Sequence, residues 1–389
     1  MTRLYLLEPE APGAAWAPFT GVRPIAELRA GAWLIRERWE ATLGVGAAGI
    51  IGSHVNGFAD VDSPPVVSAD RVVGPALVAR SDFVPPREAI QLGPDCPRLI
   101  HEGATVAWWV PPQAAWNGSG QEGQERAVGG LPLRGAFDLV TALERLLASD
   151  CLEFTAAAAD PVPDGCVVIG DPTRVVCLGA SVEPGTVFDV REGAVVLAEG
   201  AYARSGTRLE GPVYAGPGTR LLGGQLRHCA FGPECRVHGE VAGSVFVGYG
   251  NKSHDGFLGH TAVGQWVNLG AGTITSNLKN TYGPVRLEVA GERIETARTF
   301  LGSLLGDHAK TAIGTLLGTG TVIGAGANVF GPGPVPKFVP PFAWGLLGEA
   351  RLDVEGFLRV ARRVLPRRGI EVTVERETAL RQLYNRQVS

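Results

Sequence analysis

Apolar runs and polar stretches alternate along the first 150 residues at the spacing of strands and helices. Leu4-Tyr5-Leu6-Leu7, Gly49-Ile50-Ile51-Gly52 and Ala104-Thr105-Val106-Ala107-Trp108-Trp109-Val110 are short apolar runs that predict strands, the last stopped by Pro111-Pro112. A stretch rich in Ala, Leu, Arg and Glu over residues 25–42, closed by Gly44, predicts a helix. Phe137, Val140, Leu143 and Leu147 are spaced for one face of a second helix. This alternation predicts an α/β domain with a mostly parallel sheet over residues 1–150. The polar, Gly-rich residues 117–131 predict a loop. The turn cluster Asp160-Pro161-Val162-Pro163-Asp164-Gly165 predicts a linker over 151–173.

A six-residue period then replaces the helical one. Val176, Val182 and Phe188 are six apart, as are Phe231 and Val237. Val263-Gly264 and Leu269-Gly270 repeat the step with Gly attached, as do Leu317-Gly318 and Ile323-Gly324. An apolar residue at every sixth position beside a small one predicts a parallel β-helix over 174–348, each triangular coil built from three short strands and three corners. Residues 278–299 interrupt the period and predict a hairpin-like excursion. Residues 349–389 return to helical composition, with helices over 354–365 and 375–386. Nine Arg and six acids in this tail predict a solvated cap over the open end of the β-helix, with phosphate binding as the alternative.

Composition sharpens this picture. The chain of 389 residues holds 54 Gly, about twice the usual share, which the corners of a β-helix absorb. A net charge of −4 argues against nucleic acid as a partner. No apolar run reaches the length of a membrane span. Six scattered Cys read as reduced thiols, and an acid as early as Glu8 interrupts any leader-like apolar segment, so a cytoplasmic protein is expected. Only four of the 35 basic residues are Lys, and all four lie between 252 and 337. That window therefore invites a search for compact ammonium groups at work.

Its densest polar run is Asn251-Lys252-Ser253-His254-Asp255-Gly256-Phe257-Leu258-Gly259-His260. His254 is the candidate general base, because an imidazole near neutral pKa can take a proton from an amine or hydroxyl. Asp255 or a backbone carbonyl is a candidate to orient it, and His260 is a second polar candidate. Downstream, Asn268, Asn277 and Lys279 offer donors to phosphate, amide or hydroxyl groups. His228-Cys229 and Cys235-x-x-His238 have zinc-like residue types, but the two Cys are six apart, the coil period itself, so no metal site is assigned.

The run Asn268-Leu269-Gly270-Ala271-Gly272-Thr273-Ile274-Thr275, with Asn277 following, resembles the acetyltransferase domain of the bifunctional GlmU family. Members join an N-acetylglucosamine-1-phosphate uridyltransferase to a glucosamine-1-phosphate acetyltransferase. Phe257-Leu258-Gly259-His260, Ser276-Asn277-Leu278-Lys279-Asn280, Gly306-Asp307-His308-Ala309-Lys310-Thr311-Ala312-Ile313-Gly314 and Pro18-Phe19-Thr20-Gly21-Val22-Arg23-Pro24 are similar to a GlmU-like sugar nucleotidyltransferase branch. The resemblance implies a nucleotidyltransferase-like α/β domain followed by a left-handed β-helix that forms a homotrimer, with acyl-CoA bound between neighbouring coils. It implies His254 as the base, Asn268 and Asn277 positioning acceptor and thioester, and Lys252 and Lys279 facing phosphate. A backbone N–H of the Gly-rich corners would stabilise the oxyanion.

This chain departs from the family at several positions. Phe257 stands where the bifunctional enzyme has Tyr, Ala242 where it has a phosphate-binding Lys, and Asn277-Leu278-Lys279-Asn280 where it has Asn-Tyr-Asp-Gly. The expected acceptor is therefore a sugar phosphate or sugar nucleotide other than glucosamine-1-phosphate. In the first domain, Glu8-Pro9-Glu10-Ala11-Pro12-Gly13-Ala14-Ala15 replaces the family's Gly-rich phosphate loop, with Arg23 as the substitute phosphate ligand and Asp60 and Asp62 as available acids. Three readings follow. The first is acyl transfer from acyl-CoA, the second is sugar-1-phosphate nucleotidyl transfer with NTP and magnesium, and the third is a non-catalytic sugar-nucleotide-binding scaffold.

Overall fold

In the computed structural model, which describes residues 2–388, a mixed seven-stranded sheet is followed by a long parallel β-solenoid and two C-terminal helices. The sheet centres on Arg3–Leu7, which pairs in parallel with Ala47–Ile51 on one side and Ala76–Arg80 on the other. Ala104–Val110 runs antiparallel to Ala76–Arg80, so the sheet is mixed. Side chains alternate across it, Leu4 and Leu6 joining the larger core and Tyr5 the smaller one on the opposite face. Within the polar stretch read as a loop, Glu125–Ala127 forms an edge strand beside Arg98–His101.

The helix expected over 25–42 is broken in two. A 3-10 turn at Ile25–Glu27 and a small hairpin of Arg29–Ala30 with Trp33–Leu34 precede helix α1 (Ile35–Leu43). Gly31 makes the turn at φ +70°, and the carboxylate of Asp150 accepts from Ala32 N–H at 2.8 Å. A tertiary contact to a distant helix thus overrides local helix propensity. Glu37 reaches back to Leu34 N–H at 2.7 Å to start α1, and Gly44 ends it in the left-handed region, as its position implied. Helix α2 (Asp138–Glu153) extends beyond its predicted end.

The solenoid begins at Val167–Ile169, inside the expected linker, and its last strand is Phe338–Val339. Its coils stack in register on three faces. One face runs Val175–Cys177, Val195–Leu197, Val213, Cys229, Val245, Ala262, Leu304 and Val322, and it is apolar both inward and outward. The outward members Val196, Tyr214, Ala230, Val245, Ala262 and Leu304 share one core with α2 and the first domain. The inward members form the separate interior of the prism with Val237, Leu258 and Leu269. Two-sided burial explains why this face alone reads as an unbroken apolar run. The excursion is the antiparallel hairpin Val285–Val289 with Glu292–Arg298, whose Arg298 reaches Glu144 and Thr141 of α2.

Coil stacking leaves little room between corners. A Cβ on Gly232 would lie 1.9 Å from Val247 O, so that corner excludes every other residue. Cys229 and Cys235 are buried members of the prism interior, and burial pushes both thiols up to about 12.

The tail does not cap the open end. Helices α3 (Val354–Val364) and α4 (Val374–Val388) lie along one corner of the prism, touching Trp266, His308, Ala325 and Phe342 on successive coils. Apolar residues at those corners provide the docking strip. Arg386 and Gln387 then tie α4 to the first domain through Gly21 O at 2.9 Å and Thr20 O at 2.8 Å.

Candidate functional site

The polar run and the downstream Asn motif occupy adjacent coils. Asn251 pairs with Asn268 across the coil boundary, and Asn251 Nδ2 donates to Asn268 Oδ1 at 2.7 Å. The same 17-residue step places His254 against Ala271, because Gly272 N–H donates to Asp255 O at 3.0 Å one position further on. His254 is exposed at this corner. Its side chain makes no hydrogen bond among the described residues. The expected partner Asp255 turns instead to His238, 3.2 Å away.

The Gly-rich corner supplies less than expected. Gly270 N–H is spent on Thr311 and Gly272 N–H on Asp255, while Ala271 N–H makes no hydrogen bond among the described residues. An unpartnered imidazole therefore stacks one coil away from an unpartnered backbone donor. Sequence reasoning missed Ala271 because a backbone group leaves no residue-type signal; the 17-residue coil step could have indicated it.

His260 and Asn277 belong to a different corner. Asn277 Nδ2 contacts His260 Nδ1 at 2.8 Å, and an amide nitrogen only donates, so the imidazole proton sits on Nε2. Burial lowers the pKa of His260, in agreement with a neutral ring. The ring stacks on Phe300 with centroids 5.2 Å apart. Six residues of extended chain separate His254 from His260, a reach of at most about 20 Å. The expected constellation is thus split into one group at His254, Asn268 and Ala271 and another at His260 and Asn277. Lys279 is held within the excursion, its Nζ donating to Pro284 O at 2.8 Å.

Lys252 requires a correction. Instead of facing phosphate, it occupies the inward column between Val237 and Leu269 and is 2% exposed. Its ammonium donates to His238 O at 2.9 Å and His254 O at 2.7 Å. Burial pushes its pKa down to about 8, with Asp255 opposing the shift. Lys252 therefore pins the two corners from inside, including the backbone that carries His254.

Arg23 is corrected on similar grounds. All three of its guanidinium nitrogens are engaged by carboxylates, with Nε and Nη2 on Asp307 at 3.0 and 2.9 Å and Nη1 on Asp60 at 2.8 Å. Burial disfavours this charge, but Asp307 and then Asp60 outweigh it and hold the pKa above the ordinary arginine value. Arg23 joins the two domains rather than presenting a face to phosphate. Nearby, the buried Glu8 carboxylate accepts from Ile25 N–H at 2.8 Å and Ala26 N–H at 3.1 Å. An internal anion thus fills the backbone donors beside the first strand.

The carboxyl edge of the parallel strands is where ligands of such sheets bind. Asp82, which follows Ala76–Arg80 there, has both oxygens engaged by Arg80 at 2.8 and 2.7 Å. Of the two acids expected to be available, Asp60 is held by Arg23, and Asp62 is exposed with no ion pair among the described residues. Among the described residues no group of three or more His, Cys, Asp or Glu is placed to hold a metal.

Residues 5–157 match the family model described as sugar nucleotidyl transferase. The chain is 35% identical over 96 residues to a bifunctional sugar-1-phosphate nucleotidylyltransferase/acetyltransferase of Sulfurisphaera tokodaii, covering 25% of this chain and 24% of the relative. It is 32% identical over 96 residues to the bifunctional protein GlmU of Methanococcus vannielii, covering 23% of each. With the GlmU of Methanocaldococcus jannaschii it shares 31% over 86 residues, 22% of this chain and 21% of the relative. The matched stretches span about a quarter of the length of these curated relatives. These similarities agree with the resemblance carried by the motifs: a sugar nucleotidyl transferase-like domain is joined to a parallel β-solenoid.

Proposed function

We propose that the chain is a sugar-modifying transferase whose solenoid moves an acyl group from acyl-CoA to an amino or hydroxyl group of a sugar phosphate or sugar nucleotide. The observation that carries this reading is the stacking of His254 on Ala271, an unpartnered base beside an unpartnered N–H donor, with Asn268 adjacent. His254 takes the proton from the acceptor as its nitrogen or oxygen attacks the thioester carbon. Ala271 N–H donates to the oxyanion, which is worth several kcal/mol in comparable sites, typically about 3. The tetrahedral intermediate collapses with cleavage of the C–S bond, and His254 returns the proton to the CoA sulfur. Asn268 positions the acceptor. Asn277, with His260, serves the neighbouring corner, where Lys279 is the remaining candidate for a phosphate. The acetyltransferase in the name of the Sulfurisphaera tokodaii relative supports acetyl-CoA as co-substrate.

A second reading, nucleotidyl transfer by the first domain, is favoured by the family match over residues 5–157. Glu8 filling the Ile25 and Ala26 donors, and Arg23 closed by two carboxylates, weigh against it, and no step is routed through magnesium. The left-handed, trimeric form stays part of the proposal. Exposed Ile274 and Leu316, in register on adjacent coils, support contact between copies. No helix among the described residues is long and apolar enough to cross a membrane, and a cytoplasmic setting is proposed with that in view.

Calorimetric titration separates the readings. Heat with acetyl-CoA, and none with NTP plus magnesium, is expected. Heat with the nucleotide alone would transfer the chemistry to the first domain, and heat with neither would favour a scaffold.

A further inference from the structure

A cavity of about 260 Å³ opens between the solenoid and the tail, on the side of Asn268 away from His254. Lys310, Arg367 and Arg368 line it, and no carboxylate does. Lys310 continues the outward column of Asn251 and Asn268 one coil further. Its Nζ has one protein acceptor, His308 O at 2.8 Å. Burial pushes the ammonium down to about 8. Arg368 comes from the turn after α3, and its Nε is buried with no hydrogen-bond partner. Glu234, the acid whose charge reaches Arg368, is already paired with Arg236 at 2.8 Å.

Lys310 and Arg368 are half-buried and line the cavity with no carboxylate beside them, an arrangement that an anion would relieve. The third wall is aromatic: Tyr249 and Trp266 stack with centroids 4.4 Å apart at 14°. Both sit at φ near +60° at the corner position that Gly200, Gly218 and Gly326, and also Glu234 and His308, occupy in other coils. Asn268, whose Oδ1 is taken by Asn251, retains its amide N–H donors at the cavity wall.

We propose that this cavity binds the phosphate ester of a ring-bearing small molecule, with the phosphate between Lys310 and Arg368 and the ring against Tyr249 and Trp266. Arg367 closes the mouth, and the tail thereby contributes half of a site rather than only a brace. The proposal does not depend on acyl transfer, because neither His254 nor Ala271 lines the cavity. A hexose 1-phosphate and a nucleoside diphosphate share the chemistry that these walls recognise.

The test is calorimetric titration of the full chain with a hexose 1-phosphate, ADP, inorganic phosphate and sulfate. Arg368→Gln and Lys310→Met would follow, each checked for native circular dichroism, with Arg204→Gln, an exposed arginine elsewhere on the solenoid, as a control. At least one ester should bind more tightly than phosphate or sulfate. Each cavity variant should weaken it by about ten- to a hundredfold, the usual loss of a charge-assisted hydrogen bond, and Arg204→Gln should leave binding unchanged. Arg368→Lys should recover part of the loss. Equal weak binding of all four anions, no binding of any, or ester binding unchanged in both folded cavity variants would overturn the proposal. Ester binding without acyl transfer would uphold it while refuting the reading of His254.

Discussion

Replacing Lys252 by Met tests whether the lysine is an interior brace. The change keeps an apolar stem of similar length and removes the ammonium from the column between Val237 and Leu269. Two effects then oppose each other at pH 7. A lysine pushed from 10.5 to about 8 carries a burial cost on the order of 3 kcal/mol while it stays charged. Met escapes that cost but leaves the carbonyls of His238 and His254 without their donor, at about 1–3 kcal/mol each. The variant should therefore lie within about 2 kcal/mol of the parent at pH 7.

At higher pH the balance changes. Between pH 8 and 10.5 the unfolded chain holds the Lys252 proton while the folded chain has lost it. Stability from this group consequently rises with pH across that window. A neutral amine still donates to both carbonyls, so near pH 10 the parent retains its bonds without the charge penalty. Lys310, with its pKa likewise pushed to about 8, contributes the same trend to both proteins and cancels in the comparison. Urea unfolding followed by circular dichroism at pH 7 and pH 10 should show the gap between parent and variant widening by roughly 3 kcal/mol in the parent's favour. A gap that is equal at the two pH values would refute the assignment of Lys252 as a buried, titrating brace.

Two further outcomes follow from the packing. Arg23→Ala leaves Asp307 and Asp60 without their counter-charge and should destabilise the chain by about 3–5 kcal/mol in urea unfolding. An unaltered midpoint would mean that Arg23 does not join the domains. Gly232→Ala, whose Cβ would meet Val247 O at 1.9 Å, should abolish soluble folded protein, whereas Gly46→Ala, with open space around it, should be tolerated. Yield and circular dichroism of the two variants, measured side by side, check that contrast.

The prism was legible because one inward apolar residue every six positions is a strict demand of its interior, as Val263 and Leu269 show. The hairpin and tail helices were legible for the same reason, since each breaks that period. Other features were hidden by contacts distant in sequence. Residues 25–34 read as helix, yet Asp150, more than a hundred residues away, holds Ala32 in a turn. Arg23 has the residue type of a phosphate ligand, but Asp307, 284 positions later, makes it a domain joint. For Lys252 the family resemblance implies a phosphate ligand, whereas its place in register with Val237 turns it inward. His254 and Asn268 were visible as residue types. That Asn268 lies one coil beyond Asn251, and the N–H of Ala271 one coil beyond His254, required the stacking register.

The rate of acyl transfer in His254→Ala tests the central claim most directly. The parent and the variant would be given acetyl-CoA and a panel of amino-sugar phosphates and sugar nucleotides, with release of the CoA thiol followed continuously. Since the His254 side chain is exposed and makes no hydrogen bond among the described residues, the variant should unfold at the parent's midpoint. Its turnover should fall by about a hundredfold or more, the usual contribution of a positioned general base. Turnover in the variant equal to that of the parent would contradict the assignment of His254 as the base.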